Sequence, residues 1–408
     1  MKFRDYQVKI INQGVKVLSR YGFLYLAMEV RTGKTLSSLG MAEKMRVPFV
    51  LFVTKKKAMS SIEADYKSLG PCFDLDVINY ESLHKVQGSY DLIIFDEAHS
   101  MGAFPKPSKR AKQAKSLVMQ NRCYVILLSG TPTPESYSQM YHQVYFCPTN
   151  PFSSYKNFYR FSDDYVRVIE KKFNSMPVKD YSGGYKSIID QMKPFTISYT
   201  QKAAGFVVEN TEQILLVDLE PKTTDLIQQL TKDLVIEGDR EDIVADTAVK
   251  LMSKIHQLCS GTVKFESGNS MVLDLSKAKY IKSYFHKKKI AIFYKFKEEL
   301  NALKEIYQDN LCVTLEDFDS TDKTIALQIQ SGREGVSLRN AEALVYYNID
   351  FSATSYWQSR DRMTTKDRLK NKLYWVFSRR GIEPKIYKAV INKKDYTLSH
   401  FKKDLLSL

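Results

Sequence analysis

Two α/β domains in tandem, each built on a parallel sheet and separated by a mostly helical segment, form the fold class that the sequence predicts. Three observations predict it. Short apolar runs alternate with amphipathic stretches through residues 1–150; the rhythm lapses across 151–270; and it returns from 271 to 408. Strands that alternate with helical stretches give βαβ units, and a parallel sheet needs such crossovers to bring each strand back to the same starting edge.

In the first domain, Gly22–Met28, Pro48–Thr54, Asp76–Tyr80, Asp91–Phe95 and Cys123–Ser129 read as buried strands, each bounded by turn or polar residues. Lys34–Met45 and Ser60–Leu69 carry helical spacing between them. Pro148, Asn150 and Pro151 punctuate the exit, and an aromatic-rich stretch follows with Phe152, Tyr155, Phe158, Tyr159, Phe161 and Tyr165. These rings are expected in the core and in packing between lobes rather than as a base-stacking platform. Ser182–Gly184 reads as a loop, and Thr223–Ile236 and Asp246–Leu258 read as helices. In the second domain, Lys289–Tyr294, Asn310–Thr314, Thr324–Gln328, Ala343–Tyr347 and Lys372–Phe377 are strand-like. Parallel sheets of this kind bind ligands beyond the carboxyl ends of their strands.

Composition narrows the partners. The 408 residues are 44% hydrophobic and 26% charged, which excludes wholesale disorder, and the net charge of +15 favours an anionic partner, nucleic acid first. No apolar run approaches the roughly 18 residues that span a bilayer, and Met1–Arg4 opens no signal peptide, so no membrane association is expected. The cysteines (Cys72, Cys123, Cys147, Cys259 and Cys312) are far apart and odd in number. A disulfide framework is not expected, and a reducing cytoplasm fits. His256 and Cys259 have the spacing of half a metal site, but no second pair lies nearby and core placement is expected.

The chemistry concentrates at strand ends. Glu29–Thr35 follows the first strand and opens a helix, the setting of a phosphate loop. Gly33 permits the tight turn that lets the backbone N–H groups of Arg31, Thr32 and their neighbours face phosphate oxygens. Lys34 would reach the β- and γ-phosphates of ATP, and the Thr35 hydroxyl would take a place on Mg²⁺. Met28 stands where the first glycine of the consensus belongs. Asp96 and Glu97 then follow a buried strand, and two adjacent carboxylates at such a place need a cation or a proton to offset their repulsion. Asp96 would hold Mg²⁺, and Glu97 would orient and deprotonate the attacking water. Ser129–Gly130–Thr131–Pro132, again strand then loop, could feel the γ-phosphate and relay its loss.

These residues resemble a known family. Gly33–Lys34–Thr35, Asp96–Glu97–Ala98–His99 and Ser129–Gly130–Thr131–Pro132 resemble motifs I, II and III of superfamily 2 helicases and translocases. Arg4–Asp5–Tyr6–Gln7 is similar to the adenine-reading Q motif, in which Gln7 would bond the base edge and Tyr6 or Arg4 would stack on it. Ile290–Tyr294 with Phe296 resembles motif IV, Gln330–Leu338 motif V, and Tyr356–Arg362 motif VI. Within the superfamily, Arg4–Gln7, Lys250–Gly261 and Gly381–Lys394 are similar to features of the Swi/Snf-like group of DNA translocases.

The resemblance implies two RecA-like lobes: residues 1–150 with the Q motif and motifs I–III, and 271–408 with motifs IV–VI and a basic terminal segment. Residues 151–270 would form the linker or insertion. ATP would sit in the cleft between the lobes, with Arg362 as the arginine finger and Gln358 and Glu334 assisting. The group's second arginine is replaced by Thr365, which leaves Arg360, Arg368 and Arg333 as substitutes. His99, Ser129 and Thr131 would couple the lobes. Thr54 and Lys57 match motif Ia, Asn79 and Tyr80 match motif Ib, and Ser331 and Gly332 lie in motif V; all would grip nucleic acid, as would Lys109 and Arg110 in the basic stretch Lys106–Lys115. A second basic stretch, Lys366–Lys403, holds twelve Lys or Arg against three acids, so much of the surplus lies after motif VI.

The reading is an ATP- and Mg²⁺-dependent DNA translocase or helicase, a monomer indifferent to base sequence. Duplex or branched DNA is expected ahead of single strands as its partner, and branched or protein-bound DNA as what it remodels. Its compactness suggests a viral or mobile-element origin and hence the host cytoplasm. An ATP-gated nucleic-acid clamp with weak hydrolysis and an RNA helicase are the alternatives.

Overall fold

The structure is a computed structural model that describes residues 3–173, 176–206, 209–238, 241–332, 336–365 and 368–392. The chain divides into two compact units, Met1–Phe206 and Val207–Leu408.

The first unit is built on strands β1 (Phe23–Met28), β2 (Phe49–Thr54), β3 (Asp74–Asn79), β4 (Leu92–Phe95) and β5 (Tyr124–Leu128). After these come a hairpin, β6 (Val166–Phe173) with β7 (Met176–Gly184), and then β8 (Thr196–Tyr199). The sheet order is β3-β2-β4-β5-β1-β8, and every pairing is parallel. Its strands are apolar on both faces because both are covered. Leu24, Leu26, Phe52, Ile94 and Ile126 pack on one side with Ile10, Leu18 and Leu39 from helices α1 (Asp5–Tyr21) and α2 (Lys34–Met45). Phe23, Tyr25, Leu51, Ile93 and Leu127 face the other way, onto Phe152, Phe158 and Phe161. Phe152, Phe158 and Phe161 of the aromatic-rich stretch are therefore core, with Tyr155 and Tyr165 partly buried against them, whereas Tyr159 is exposed.

The second unit repeats the plan with β9 (Glu209–Val217), the short pairs β10 (Val235–Ile236) with β11 (Ile243–Val244) and β12 (Thr262–Lys264) with β13 (Ser270–Val272), then β14 (Ile290–Tyr294), β15 (Leu311–Cys312), β16 (Thr324–Gln328), β17 (Ala343–Tyr346) and β18 (Lys370–Ser378). Its main sheet runs β15-β16-β14-β17-β18-β9, again all parallel. Both units are thus RecA-like α/β lobes.

The stretch 151–270 takes a different form from the one expected. It contains helices at Phe158–Tyr165, Pro221–Asp233 and Ala248–Leu258, but it also supplies an edge strand to each sheet, β8 to the first and β9 to the second. The division falls at Phe206/Val207 rather than around a separate middle segment. Ser182–Gly184, read as a loop, closes strand β7. His256 and Cys259 are fully buried, and His256 Nε2 lies 2.6 Å from Asn348 Oδ1. No metal-holding cluster occurs among the described residues, and none of their helices is long and apolar enough to cross a membrane.

Candidate nucleotide site and nucleic-acid interface

Strand order explains why distant motifs meet. Along the carboxyl edge of the first sheet, neighbouring strands β2, β4, β5, β1 and β8 end in turn at Thr54, Phe95, Leu128, Met28 and Tyr199. The residues that follow stand in one row.

The loop after β1 carries two left-handed residues, Arg31 (φ 64°) and Gly33 (φ 82°). Gly33 caps α2 and has no side chain of its own to bond the first-turn N–H groups that a phosphate would need. Lys34 Nζ folds back to donate to Met28 O at 2.9 Å, and the Thr32 hydroxyl donates to Glu29 O at 2.7 Å. Thr35 lies at the start of α2, its carbonyl accepting from Ser38 Oγ at 2.8 Å.

Arg4, Tyr6 and Gln7 meet this loop, though not as a free adenine platform. Gln7 is buried, its Oε1 accepts from Arg4 N at 2.9 Å, and its amide nitrogen sits so close to Gly33 that a Cβ there would meet it at 2.4 Å. Tyr6 donates to Thr32 O at 3.1 Å, accepts from Arg4 Nη1 at 3.1 Å, and stacks on Tyr199 with centroids 4.8 Å apart.

Beside the loop, Asp96 accepts from Thr54 Oγ1 at 2.9 Å and from Glu97 N at 3.0 Å. Burial, then the Glu97 charge, push its carboxyl up to about 6, while Lys34 and the Thr54 bond oppose them. Glu97 adopts a left-handed turn (φ 49°) that a residue with a Cβ occupies only where its surroundings dictate it. His99 Nδ1 lies 3.3 Å from Glu97 Oε2 and 3.0 Å from Ser129 Oγ, which in turn accepts from Thr131 N at 3.1 Å. Motifs II and III are thereby joined side chain to side chain. Gly130 faces Lys34, since a Cβ there would stand 3.5 Å from Nζ.

Several residues expected on a nucleic-acid track do other work. Thr54 is buried against Asp96. Tyr80 is buried too, and its hydroxyl donates to Asp96 O at 2.5 Å. A buried ring whose hydroxyl bonds a main-chain carbonyl is core packing, not an exposed grip. Asn79 caps the next turn by accepting from Ser82 N at 3.0 Å. Arg110 pairs with Glu81 at 2.5 Å and lies over the Tyr80 ring. Lys57 and Lys109 are exposed.

In the second unit, motif VI forms the helix Ala353–Ser359 and the turn after it. Gln358 and Arg362 are buried, and Arg362 Nε donates to Gln358 O at 2.9 Å. Arg360 does not stand free as a substitute finger: its Nη2 pairs with Glu212 at 2.9 Å. That same carboxylate accepts from Tyr356 Oη at 2.9 Å, Trp375 Nε1 at 3.0 Å and Tyr387 Oη at 2.8 Å. Arg368 donates to the carbonyls of Arg339 and Ala341. Ser331 and Gly332 close the short helix Ile329–Gly332, and Gly332 packs on Phe293 with no room for a Cβ. Arg333 and Glu334 lie outside the described residues, as does part of the Lys366–Lys403 stretch. Arg379, also in that stretch, forms a bidentate pair with Asp218. A cavity of about 320 Å³ opens between Asp218, Ile227, Ile255, Arg379 and Ile382, lined by none of the residues of motifs I to VI.

Glu212, Tyr199 and Gln201 were not expected at these sites. Each is a single polar residue at or beside an edge strand, with no spacing pattern to mark it.

A parallel sheet that sets a Gly-Lys-Thr loop, an Asp-Glu pair and a Ser-Gly-Thr turn on adjacent strand ends, followed by a second lobe of the same plan, defines a nucleic-acid-dependent ATPase with tandem RecA-like lobes. The chain belongs to the SNF2-related domain family, whose model matches residues 31–270. Among solved structures, it is similar to the SWI2/SNF2 ATPase core of Sulfolobus solfataricus in complex with dsDNA, at 17% identity over 100% of this chain and 93% of that one, with a TM-score of 0.42. It is also similar to the Sulfolobus solfataricus SWI2/SNF2 ATPase core domain, at 15% identity over 96% and 89%, with a TM-score of 0.43. No curated protein matches the sequence.

Proposed function

We propose that this ATPase is a DNA translocase, coupling ATP hydrolysis to sequence-independent movement along duplex DNA, with branched or protein-bound DNA as what it remodels. The observation that carries the reading is the continuous link from Glu97 through His99 and Ser129 to the backbone of Thr131, next to Lys34. A group that handles the attacking water is thereby bonded to the turn that would register loss of the γ-phosphate. Family membership supports hydrolysis, and the +15 charge supports a phosphate backbone as track.

In this reading Lys34 holds the β- and γ-phosphates, and the first-turn N–H groups of α2 bind phosphate oxygens. Glu97 orients and deprotonates water, and Arg362 stabilises charge on the transferring phosphoryl group. Thr35 and Asp96 would hold Mg²⁺. The site fits a cation, because burial and then the adjacent Glu97 charge push the Asp96 proton affinity up, and a divalent ion beside the two carboxylates would offset both. When bound, Mg²⁺ would neutralise phosphate charge.

Measuring ATP turnover with duplex DNA, single-stranded DNA and RNA at one salt concentration tests the reading. Stimulation by duplex DNA several-fold above the other two is expected. Equal or greater stimulation by RNA would replace it with an RNA helicase, and tight binding without turnover would replace it with a clamp.

A further inference from the structure

We propose that Gln201 is a positioning residue for nucleotide binding, holding the strained turn of the phosphate loop from outside together with Tyr6. The proposal rests on Val30–Thr35 being that loop. The strain lies at Arg31, which has a Cβ yet adopts φ 64°. Such a conformation persists only where the flanking peptide groups are fixed, and here each has its own clamp. On the near side, Val30 O accepts from Gln201 Nε2 at 2.9 Å. On the far side, the Arg31–Thr32 peptide is held by Thr32 N, which donates to Glu29 O at 3.4 Å, and the next carbonyl, Thr32 O, accepts from Tyr6 Oη at 3.1 Å.

Gln201 grips a second time, its backbone N–H donating to Glu29 Oε2 at 2.6 Å. Glu29 N in turn donates to Tyr199 O at 2.9 Å, and Tyr199 carries the stacked ring of Tyr6. Met28, which occupies the place of the loop's first glycine, is fully buried and pairs in register with Tyr199. The loop thus leaves a ladder that stays parallel to β8 up to its last residue, and β8 continues straight into the clamp.

Drawing the Val30 and Thr32 carbonyls outward turns the N–H groups anti to them across their trans peptides, those of Arg31 and Gly33, toward the phosphate position, as in an anion-binding nest, while the Thr32 N–H stays on Glu29 O. A glycine-rich loop reaches that shape by its own freedom; here external bonds impose it when the unit folds. The ordering cost is then met before nucleotide arrives, which should appear as affinity rather than as turnover.

Gln201→Leu removes the amide donor at similar length, and Gln201→Lys restores a donor. Titration with a fluorescent ADP analogue needs no turnover; kcat and KM for ATP and the nucleotide-free melting temperature complete the set. Gln201→Leu should weaken nucleotide binding about 10-fold and raise KM in step. Its kcat should stay within about twofold and its melting temperature should hold, while Gln201→Lys recovers most of the affinity. Nucleotide affinity within about twofold of the parent for Gln201→Leu would overturn the proposal, as would a loss that tracks a lower melting temperature and is not recovered by lysine. Lys34→Ala is the reference. If it weakens binding while Gln201→Leu does not, the clamp alone fails; if Lys34→Ala binds like the parent, the loop assignment fails and the clamp with it.

Discussion

The two units hold charged side chains beside similar sheets, but by different means: the first at the carboxyl edge, the second within the edge strand β9. In the first, main-chain groups share the holding with small polar side chains: Lys34 rests on Met28 O, Asp96 accepts from Glu97 N and from the Thr54 hydroxyl, and the loop turns at Arg31 and Glu97 have positive φ. In the second, a packed aromatic cage does it. Glu212 gathers Arg360, Tyr356, Trp375 and Tyr387, and Trp375 stacks on Tyr346 at 3.7 Å. Elsewhere in the unit, Lys277 and Glu383 form a fully buried pair at 2.7 Å. The first arrangement leaves polar groups ready to exchange partners when a ligand arrives. The second ties the Arg360 Nη atoms to Glu212 and Tyr356, although its Nε is buried without a hydrogen-bond partner.

Substitutions can break this contrast. The largest effects should fall on turnover. Glu97→Gln and Arg362→Ala should each lower kcat by about 10³-fold or more while leaving the melting temperature almost unchanged; steady-state ATPase assays beside thermal melts check both. Next comes Glu212→Gln, which should destabilise the second unit by about 3–5 kcal/mol by leaving Arg360 without its anion. Chemical denaturation reads this, and intact stability would mean the cage does not depend on its carboxylate.

A pH effect of about 3 kcal/mol should follow from His142. Burial lowers its pKa to about 4, and its Nδ1–H donates to Ala103 O at 2.7 Å. Because the folded value lies below the unfolded value of about 6.5, the unfolded chain binds the proton first. The His142 contribution is therefore complete above about 6.5 and lost as pH falls toward 4. His256 is displaced in the same direction by burial, so the second unit shares the trend. His142→Gln should flatten the stability profile between pH 6.5 and 4 relative to the parent. The smallest effect belongs to Ser129→Ala, which removes the link between His99 and Thr131. DNA stimulation should fall several-fold with basal turnover within about twofold; unchanged stimulation would mean that coupling bypasses this serine.

Much of this was legible in the sequence because the signals are local. The helix predicted over Lys34–Met45 has those bounds in the structure. Asp96 and Glu97 follow a strand, as their apolar lead-in requires. What was not legible depends on strand neighbours. β9 alternates exposed and buried residues and reads as polar, so neither it nor the short β8 announced itself as a sheet edge. Thr54 and Tyr80 look like surface grips in one dimension. Only the pairing of β2 with β4 brings Thr54 to Asp96 and makes it a brace. Glu212 gains its role from four partners that are remote in sequence, and no local pattern encodes that.

The edge strands also set a timetable for synthesis. β8 seals the first sheet and carries the phosphate-loop clamp, so a nascent chain that has emerged only as far as residue 150 holds motifs I to III without the strand that steadies them. β9 faces a longer wait. Its partner β18 lies about 160 residues downstream, Thr211 bonding Asn371, so the ribosome must deliver almost all of the second unit before that edge can pair. During that interval Ile214 and Leu216 lie on an unpaired strand, the exposure that chaperones recognise.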